Sequence, residues 1–242
     1  MLFNFFWGDW TILILLPAMI FAFWAQAKVN STFTKYSKIP SRSGLTGAQA
    51  ARRLLDANGL YHVPVVRIQG KLTDHYDPRN QTLCLSAAVH DSISPAAIGV
   101  ACHEAGHAIQ HAVNYAPLSI RMQMVRACNI GSTLAMPLFL IGLFFPVAVN
   151  AAGPDLGSIL MLAGIACFSL STLFQLVTLP VEFNASRRAM EGIQSRNLLP
   201  DEELSGARKV LSAAAMTYVA ALATSLLSLL RLILIAQNSR RR

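Results

Sequence analysis

The chain has 242 residues, of which 54% are hydrophobic and only 13% are charged, and its formal net charge at pH 7 is +8. Soluble globular proteins carry about 25% charged residues, so this composition argues against a soluble protein. The basic residues flank the apolar runs instead of clustering among aromatic residues. We therefore expect them to face a membrane surface, and we expect no nucleic-acid partner.

Four apolar runs predict helices that cross a membrane. Residues 127–154, 156–181 and 210–230 contain no charged residue, and about 20 apolar residues are enough to span the hydrocarbon core as a helix. The shorter run 11–27 is not preceded by the basic segment of a signal peptide, so it is interpreted as an uncleaved anchor. The two middle runs, joined by the short loop 150–157, predict a helical hairpin.

A small α+β unit is predicted at about residues 40–125, between the first apolar run and the hairpin. Thr46 and Gln49 form a T-x-x-Q capping box that begins a helix, and Gly59 is placed where that helix would end. Three strand-like runs follow the helix, at residues 63–68, 72–76 and 82–86.

A second soluble helix is predicted to begin where Ser94 is followed by Pro95, and to reach about residue 113. After the hairpin, a polar helical stretch with a break near Leu199 and Pro200 leads into the last apolar run. This order predicts five segments: an N-terminal membrane anchor (1–27), an α+β catalytic unit (28–126), a transmembrane hairpin (127–181), a helical segment supplying a third metal ligand (182–209) and a C-terminal membrane or interfacial helix with a basic tail (210–242).

His103, Glu104 and His107 form an H-E-x-x-H motif inside the second predicted helix. With 3.6 residues per turn, the two histidines lie one turn apart on one face, so both imidazoles can bind one metal ion. In such sites zinc lowers the pKa of bound water to ~7, and Glu104 can accept the proton as the water attacks a carbonyl carbon. The motif predicts a zinc-dependent endopeptidase. The predicted fold is an α-helical multi-pass membrane protein with a small α+β zincin-like catalytic unit, in which the H-E-x-x-H helix packs on a short sheet.

A catalytic zinc site needs a third protein ligand and one open position. His111 continues the spacing of the two histidines, but it would lie about 12 Å from His103 along a straight helix, too far for zinc–nitrogen bonds of about 2.1 Å. We interpret His111 as an interfacial histidine or a neighbour of the ligands. Glu182 is the first charged residue after the third apolar run, and a hairpin that crosses the membrane twice would return it to the side of His103. On spacing alone, a metal ligand and a carboxylate that stabilises a helix start explain Glu182 equally well.

Four stretches resemble the YugP-type family of bacterial membrane zinc metallopeptidases. They are residues 43–47 (SGLTG), 72–78 (LTDHYDP), 103–111 (HEAGHAIQH) and 179–183 (LPVEF). The resemblance runs over nearly the whole chain and includes the order of the apolar runs. The chain is more distantly similar to HtpX- and Ste24-type membrane proteases, in which the Glu of an E-x-x-x-D element is the third zinc ligand.

The resemblance implies a membrane peptidase with one zinc ion per chain, held by His103, His107 and Glu182. The chain differs from the wider pattern at Ser186, where the Asp of the E-x-x-x-D element would stand. It also has Asn184 where the resemblance to the YugP-type family leads us to expect Asp. We interpret both side chains as neighbours that orient a ligating histidine. The resemblance implies no particular substrate.

Other polar residues near these motifs are weaker candidates. His75 and Tyr76 could line the cleft or offer a strand edge to an extended peptide, although an ordinary exposed strand explains them equally well. The oxyanion formed during hydrolysis could be stabilised by any of four side chains, between which the sequence does not decide: His75, Tyr115, Arg187 and Arg188. A basic membrane flank is the simpler explanation of the two arginines.

Two alternative functions fit parts of the sequence. A site-2-type intramembrane protease also uses H-E-x-x-H, but its third ligand is an Asp from another membrane helix, and Asp155 would lie across the bilayer from His103. A non-proteolytic zinc-binding membrane scaffold or adaptor is the alternative to an enzyme. Such an adaptor would be expected to lose Glu104, which is present, and a transporter would place ionisable residues inside its spans. The enzyme is therefore the preferred prediction.

The basic residues also predict an orientation in a bacterial plasma membrane. They lie on residues 28–126 and 183–209 and are absent before Lys28 and from the hairpin loop, which places the catalytic side in the cytoplasm. Four spans would put the C-terminal arginines outside, so the sequence does not decide whether the last run spans the membrane or lies along its surface. The expected partners are the lipid bilayer and a peptide or membrane-protein substrate; the oligomeric state is left open.

Overall fold

The computed structural model describes residues 10–70, 72–144 and 155–239. In chain order its elements are a 3-10 turn (Trp10–Leu15), α1 (Leu16–Ser37), α2 (Gly47–Asp56), β1 (Val65–Ile68), β2 (His75–Asp77), β3 (Thr82–Ser86), α3 (Ala87–His90), α4 (Pro95–Ala112), α5 (Ala116–Phe144), α6 (Leu156–Ser195) and α7 (Asp201–Ser239). Most of the predicted hairpin loop (150–154) and the three C-terminal arginines (240–242) lie outside the described residues.

Helices α1, α5, α6 and α7 are each long and apolar enough to cross a membrane. Together with a small sheet, they confirm the predicted multi-pass helical membrane protein with an α+β unit. Two helix bounds differ from the prediction. Helix α5 begins at Ala116, well before the apolar run, and α6 continues past Glu182 to Ser195. The reason is that a change from apolar to polar side chains does not interrupt the backbone hydrogen bonds of a helix.

The described residues divide into two compact units. The helical unit contains residues 10–24, 120–144, 155–178 and 219–239, and the α+β unit contains residues 25–70, 72–119 and 179–218. The five segments predicted from the sequence divide the chain at other positions and stay a prediction.

Within the helical unit, α5 and α6 contact each other closely through small residues. A Cβ added to Gly142 would lie 2.5 Å from the carbonyl oxygen of Gly157, and one added to Gly164 would lie 2.7 Å from that of Ala135. Small residues of this kind allow helix backbones to approach each other in a membrane. A buried cluster from α5, α6 and α7 completes the packing: Phe139, Met161, Leu232 and Ala236.

The α+β unit contains a three-stranded sheet in the order β1-β3-β2. Strand β1 runs parallel to β3, with Val65 opposite Leu83, and β2 runs antiparallel to β3, with Tyr76 opposite Leu83. The central strand buries Leu83 and Leu85 completely. Among the described strands, β2 therefore forms one edge of the sheet.

Helix α4 lies at the centre of the α+β unit. Helix α2 begins with the predicted capping box, in which the Gln49 N–H donates to Thr46 Oγ1 (3.2 Å) and the Thr46 N–H donates to Gln49 Oε1 (3.0 Å). Residues of α2, β3, α4, α6 and α7 form one apolar core. This core fixes the helices that carry the polar residues of the candidate site.

Candidate metal centre

Helix α4 carries the H-E-x-x-H motif and begins with the predicted cap. The side-chain oxygen of Ser94 accepts a hydrogen bond from the Ala97 N–H at 3.2 Å, and Pro95 occupies the first turn. One turn apart on this helix, the rings of His103 and His107 contact each other edge to face, with centroids separated by 4.8 Å. The helix therefore presents both imidazoles on one face, as the spacing of the motif predicts.

Glu182 of α6 lies against both imidazoles. One ligand atom from each of His103, His107 and Glu182 can be chosen so that all three lie within 4.8 Å of one another. Glu182 Oε2 is 3.2 Å from His103 Nε2 and 3.4 Å from His107 Nε2. The Glu182 side chain is 2% exposed and each histidine side chain is 12% exposed. The three predicted ligands are thus brought together in a nearly enclosed space.

Two imidazole nitrogens and a carboxylate are a donor set that catalytic zinc sites use. A carboxylate as deeply buried as that of Glu182 also requires a positive partner, because burying a lone charge is costly. A divalent cation between the three side chains would satisfy this requirement. Burial works against charging His107, but its hydrogen bond to Glu182 and the charges of Glu104 and Glu182 outweigh burial and raise the pKa of His107. The site therefore attracts positive charge.

Helices α4 and α6 contact each other closely beside these predicted ligands. Gly106, the fourth residue of the motif, faces the backbone of Ala185, and a Cβ at Gly106 would lie 2.7 Å from the Ala185 carbonyl oxygen. Ala185 is completely buried. A glycine at this position allows the helix that carries the histidines to lie directly against the helix that carries Glu182.

Glu104 is held by the edge strand. The backbone N–H of Tyr76 in β2 donates a hydrogen bond to Glu104 Oε2 at 3.1 Å. Burial raises the pKa of the Glu104 carboxyl and neighbouring carboxylates add to this effect, while His103 and His107 oppose it. A carboxyl group whose pKa lies above its ordinary value is a better proton acceptor near neutral pH than an exposed glutamate.

Each histidine of the motif has a second partner on its Nδ1 atom. His103 Nδ1 lies 3.1 Å from the hydroxyl oxygen of Ser186. His107 Nδ1 lies 3.0 Å from Gln110 Oε1. The sequence analysis singled out Ser186 but missed Gln110. The available signal was a polar residue one turn after His107, directly after the apolar pair Ala108 and Ile109.

Comparison with known proteins decides the family. The model of a family described as "Putative neutral zinc metallopeptidase" matches residues 11–237. The chain belongs to this zinc metallopeptidase family. It is also 47% identical over 230 residues to "Putative membrane protease YugP" of Bacillus subtilis (strain 168), a match that covers 95% of this chain and 97% of that protein. No solved structure matches the chain significantly.

These comparisons confirm the resemblance to the YugP-type family. Together with the four long apolar helices, they show that the chain is a membrane protein. The clustering of His103, His107 and Glu182 fits the predicted zincin-like unit. The ligand and catalytic roles of the individual residues stay predictions.

His111 lies outside the group of three predicted ligands. Its Nδ1 atom is 2.9 Å from the Tyr76 hydroxyl oxygen, and the two rings are tilted with centroids 5.9 Å apart. Burial raises the pKa of Tyr76, with a further contribution from Asp77. In this member of the zinc metallopeptidase family, the pair connects the end of α4 to the edge strand.

The remaining predicted residues have partners of other kinds. His75 Nδ1 lies 2.8 Å from the Thr73 carbonyl oxygen, and Arg187 forms an exposed ion pair with Glu191 at 3.6 Å. The Nε of Arg188 donates to Asn184 Oδ1 at 2.8 Å. Arg188 also lines a cavity of about 190 Å³, and none of the three predicted ligands lines that cavity. No described contact selects among these side chains or Tyr115 as a stabiliser of the oxyanion.

Asp155, the carboxylate required by the site-2-type alternative, caps the start of α6. Its Oδ1 accepts a hydrogen bond from the Ser158 N–H at 2.7 Å, and its Oδ2 accepts one from the Ser158 hydroxyl at 3.1 Å. Both carboxylate oxygens are thus used at a helix N-terminus, where Asp is a favoured capping residue.

Proposed function

We propose that this chain is a zinc-dependent endopeptidase of the membrane that hydrolyses peptide bonds, with Glu104 as the general base. The observation that carries the proposal is the convergence of His103, His107 and Glu182 around one buried point beside Glu104. The names of the family and of the Bacillus subtilis relative support the same chemistry. One zinc ion per chain, when bound, supplies a Lewis acid that makes water nucleophilic near neutral pH.

Glu104 is placed to accept a proton from water and to donate it later to the leaving amine. Its Oε2 atom is held by the Tyr76 N–H, while Oε1 has no hydrogen-bond partner among residues 10–70, 72–144 and 155–239. Oε1 can therefore accept a proton from the water that attacks the peptide carbonyl. The same carboxyl group then gives this proton to the leaving amine nitrogen as the C–N bond breaks.

The edge strand β2 supports a peptide as the substrate. An extended peptide binds a sheet by adding a strand at a free edge, and β2 lies at an edge of the described sheet beside Glu104. We propose that a peptide or an unfolded loop of a membrane protein lies along β2, which would bring its backbone carbonyl groups close to the ligands.

The test compares wild type with Glu104→Gln, Glu182→Ala and His111→Ala, each purified in detergent. We expect about one zinc per chain in wild type, Glu104→Gln and His111→Ala, and loss of zinc in Glu182→Ala. Hydrolysis of denatured casein should fall by about 10²- to 10⁴-fold in Glu104→Gln.

Two results would contradict the proposal. Zinc retained without Glu182, or lost without His111, would show that the ligand set is wrong. Zinc-loaded wild type that hydrolyses no protein or peptide, under conditions where Glu182→Ala alone loses zinc, would favour the scaffold or adaptor instead.

We further propose that the α+β unit faces the cytoplasm, as the distribution of basic residues predicts. Gln194 is exposed near the end of α6, so Gln194→Cys in a chain without native cysteines should react with a membrane-impermeant maleimide only after the cells are permeabilised. Ala151→Cys in the predicted hairpin loop is the control and should react in intact cells. The reverse pattern would place the α+β unit outside.

A further inference from the structure

Gln110 is a completely buried polar side chain that the mechanism above does not use. It is 0% exposed and lies on α4, one turn after His107. Burying an amide is costly unless its hydrogen-bonding groups are satisfied. The partners of Gln110 therefore indicate why an amide occupies this position.

The orientation of the Gln110 amide follows from neighbouring groups that can only donate or only accept a hydrogen bond. The Nε of Arg188 can only donate a hydrogen bond, and it lies 2.8 Å from Asn184 Oδ1. The atom of the Asn184 amide that faces Arg188 and Gln110 is therefore its oxygen. Gln110 Nε2 then donates to Asn184 Oδ1 at 3.0 Å and to the Val181 carbonyl oxygen at 2.8 Å. The oxygen of the Gln110 amide must therefore point towards His107.

This orientation determines the tautomer of His107. Gln110 Oε1 can only accept a hydrogen bond, and it lies 3.0 Å from His107 Nδ1, so that nitrogen carries the proton. The neutral imidazole then has its lone pair on Nε2, the atom 3.4 Å from Glu182 Oε2. Nε2 is thereby the nitrogen that is free to bind a metal.

The two histidines differ in this respect. His103 Nδ1 contacts the Ser186 hydroxyl, which can donate or accept and so fixes no tautomer. Gln110, in contrast, also bonds to Val181 and Asn184, which lie one residue before and two residues after Glu182 in α6. A single side chain therefore connects one ligand to the backbone that carries another.

From this geometry we propose that Gln110 is a positioning residue, which fixes His107 as the Nδ1–H tautomer for metal binding. Its donations to Val181 and Asn184 set the direction of the amide and join α4 to α6. The proposal rests on the proposed function only in taking His107 and Glu182 as ligands. Asn184 and Arg188 belong to the same network, because they fix the direction of the Gln110 amide. Residues that orient a ligating histidine in this way typically change metal affinity about 10- to 100-fold when replaced.

The test measures zinc affinity by competition with a chromophoric chelator, together with thermal unfolding of the zinc-free protein. Gln110→Met keeps the size of the side chain but removes the acceptor and both donors, so zinc should bind about 10- to 100-fold more weakly. Gln110→Glu keeps an acceptor for His107 Nδ1–H and loses the donations to α6. It should retain zinc affinity within about threefold of wild type while its zinc-free form melts at a lower temperature.

A purely structural role gives a different pattern, in which zinc affinity follows the stability of the zinc-free protein and both variants bind zinc equally weakly. That pattern, or wild-type affinity in Gln110→Met, would overturn the proposal. If Gln110→Met does not fold, Gln110→Glu alone decides, because a loss of affinity of tenfold or more in that variant also overturns it. Gln194→Met, at an exposed glutamine of α6, is the matched control and should bind zinc as wild type does. Zinc affinity is measured without any hydrolysis assay. A wild type that binds zinc but hydrolyses nothing would therefore refute the proposed function, while the role of Gln110 could still be tested.

Discussion

The contact between Gly106 and Ala185 can be tested by adding one methyl group. In Gly106→Ala the new Cβ would lie 2.7 Å from the Ala185 carbonyl oxygen and 3.3 Å from its Cα, whereas ordinary contacts begin at 3.4 Å. The obstacle is helix backbone, which cannot rotate away as a side chain can. Helix α6 would have to retreat by roughly 0.7 Å to restore a normal contact.

This displacement is large for a metal site. Metal–ligand distances vary by about 0.2 Å around their preferred values, and Ala185 lies between Glu182 and Ser186 on the same helix. Overpacking a core typically costs about 1–3 kcal/mol. If the zinc-free protein relaxes by separating the helices, binding zinc must reverse this relaxation. A cost of that size corresponds to a loss of zinc affinity of about 5- to 150-fold.

Chelator competition measures the affinity, and Gly99→Ala is the matched control. Gly99 lies on the same helix, one turn before His103, but its new Cβ would face the side-chain Cβ of Ala207 in α7 at 3.2 Å, and none of the predicted ligands lies on α7. Gly99→Ala should bind zinc like wild type and gain some helix propensity. Gly106→Ala with zinc affinity within twofold of Gly99→Ala would refute the reasoning that this close contact sets the distance between the ligands.

Three further predictions concern stability and reactivity. Thr46→Ala removes the side-chain acceptor of the capping box and should lower the free energy of unfolding by about 0.5–2 kcal/mol, measured by thermal or chemical unfolding; Thr46→Ser should restore most of it, and equal loss in both would contradict the capping role. Burial raises the pKa of the Cys102 thiol to about 12, so only about one molecule in 10⁴ is a thiolate at pH 8, and alkylation followed by mass spectrometry should modify Cys102 only after denaturation. Removing zinc with a chelator should lower the melting temperature of wild type, since zinc at 100 times its dissociation constant contributes about 2.7 kcal/mol; Glu182→Ala should show no such shift, and a shift of wild-type size would indicate a second metal site.

Features that depend on neighbouring residues were predictable from the sequence. The capping box of Thr46 and Gln49 and the helix beginning at Ser94 form as predicted, because their hydrogen bonds join residues three apart. The predicted break near Leu199 and Pro200 is confirmed by the gap between Ser195 and Asp201.

The second strand shows where local patterns were insufficient. It was predicted at residues 72–76 but is observed at His75–Asp77. Leu72 has a φ of 57°, which is incompatible with an extended strand. The carboxylate of Asp74 instead accepts hydrogen bonds from the backbone N–H and hydroxyl of Ser86. A partner twelve residues away determines where this strand begins.

The network around Gln110 could not be predicted for the same reason, on a larger scale. Gln110 bonds to Val181 and Asn184, which lie 71 and 74 residues further along the chain. The sequence of α4 shows a polar residue one turn after His107, but no local rule shows which residues of α6 face it. The packing of α4 against α6, which includes the contact of Gly106 with Ala185, brings these residues together.

The separation of the ligands along the chain also has a consequence for synthesis. His103 and Glu182 are 79 residues apart, and the apolar segments of α5 and α6 lie between them. At about 5–20 residues per second, translation needs roughly 4–16 s to pass from one ligand to the other. During that interval the nascent chain carries an H-E-x-x-H helix without the proposed third ligand, Glu182. If the proposed ligand set is right, hydrolytic activity begins only after the ribosome has completed both membrane segments, so the unfinished chain is not yet a peptidase.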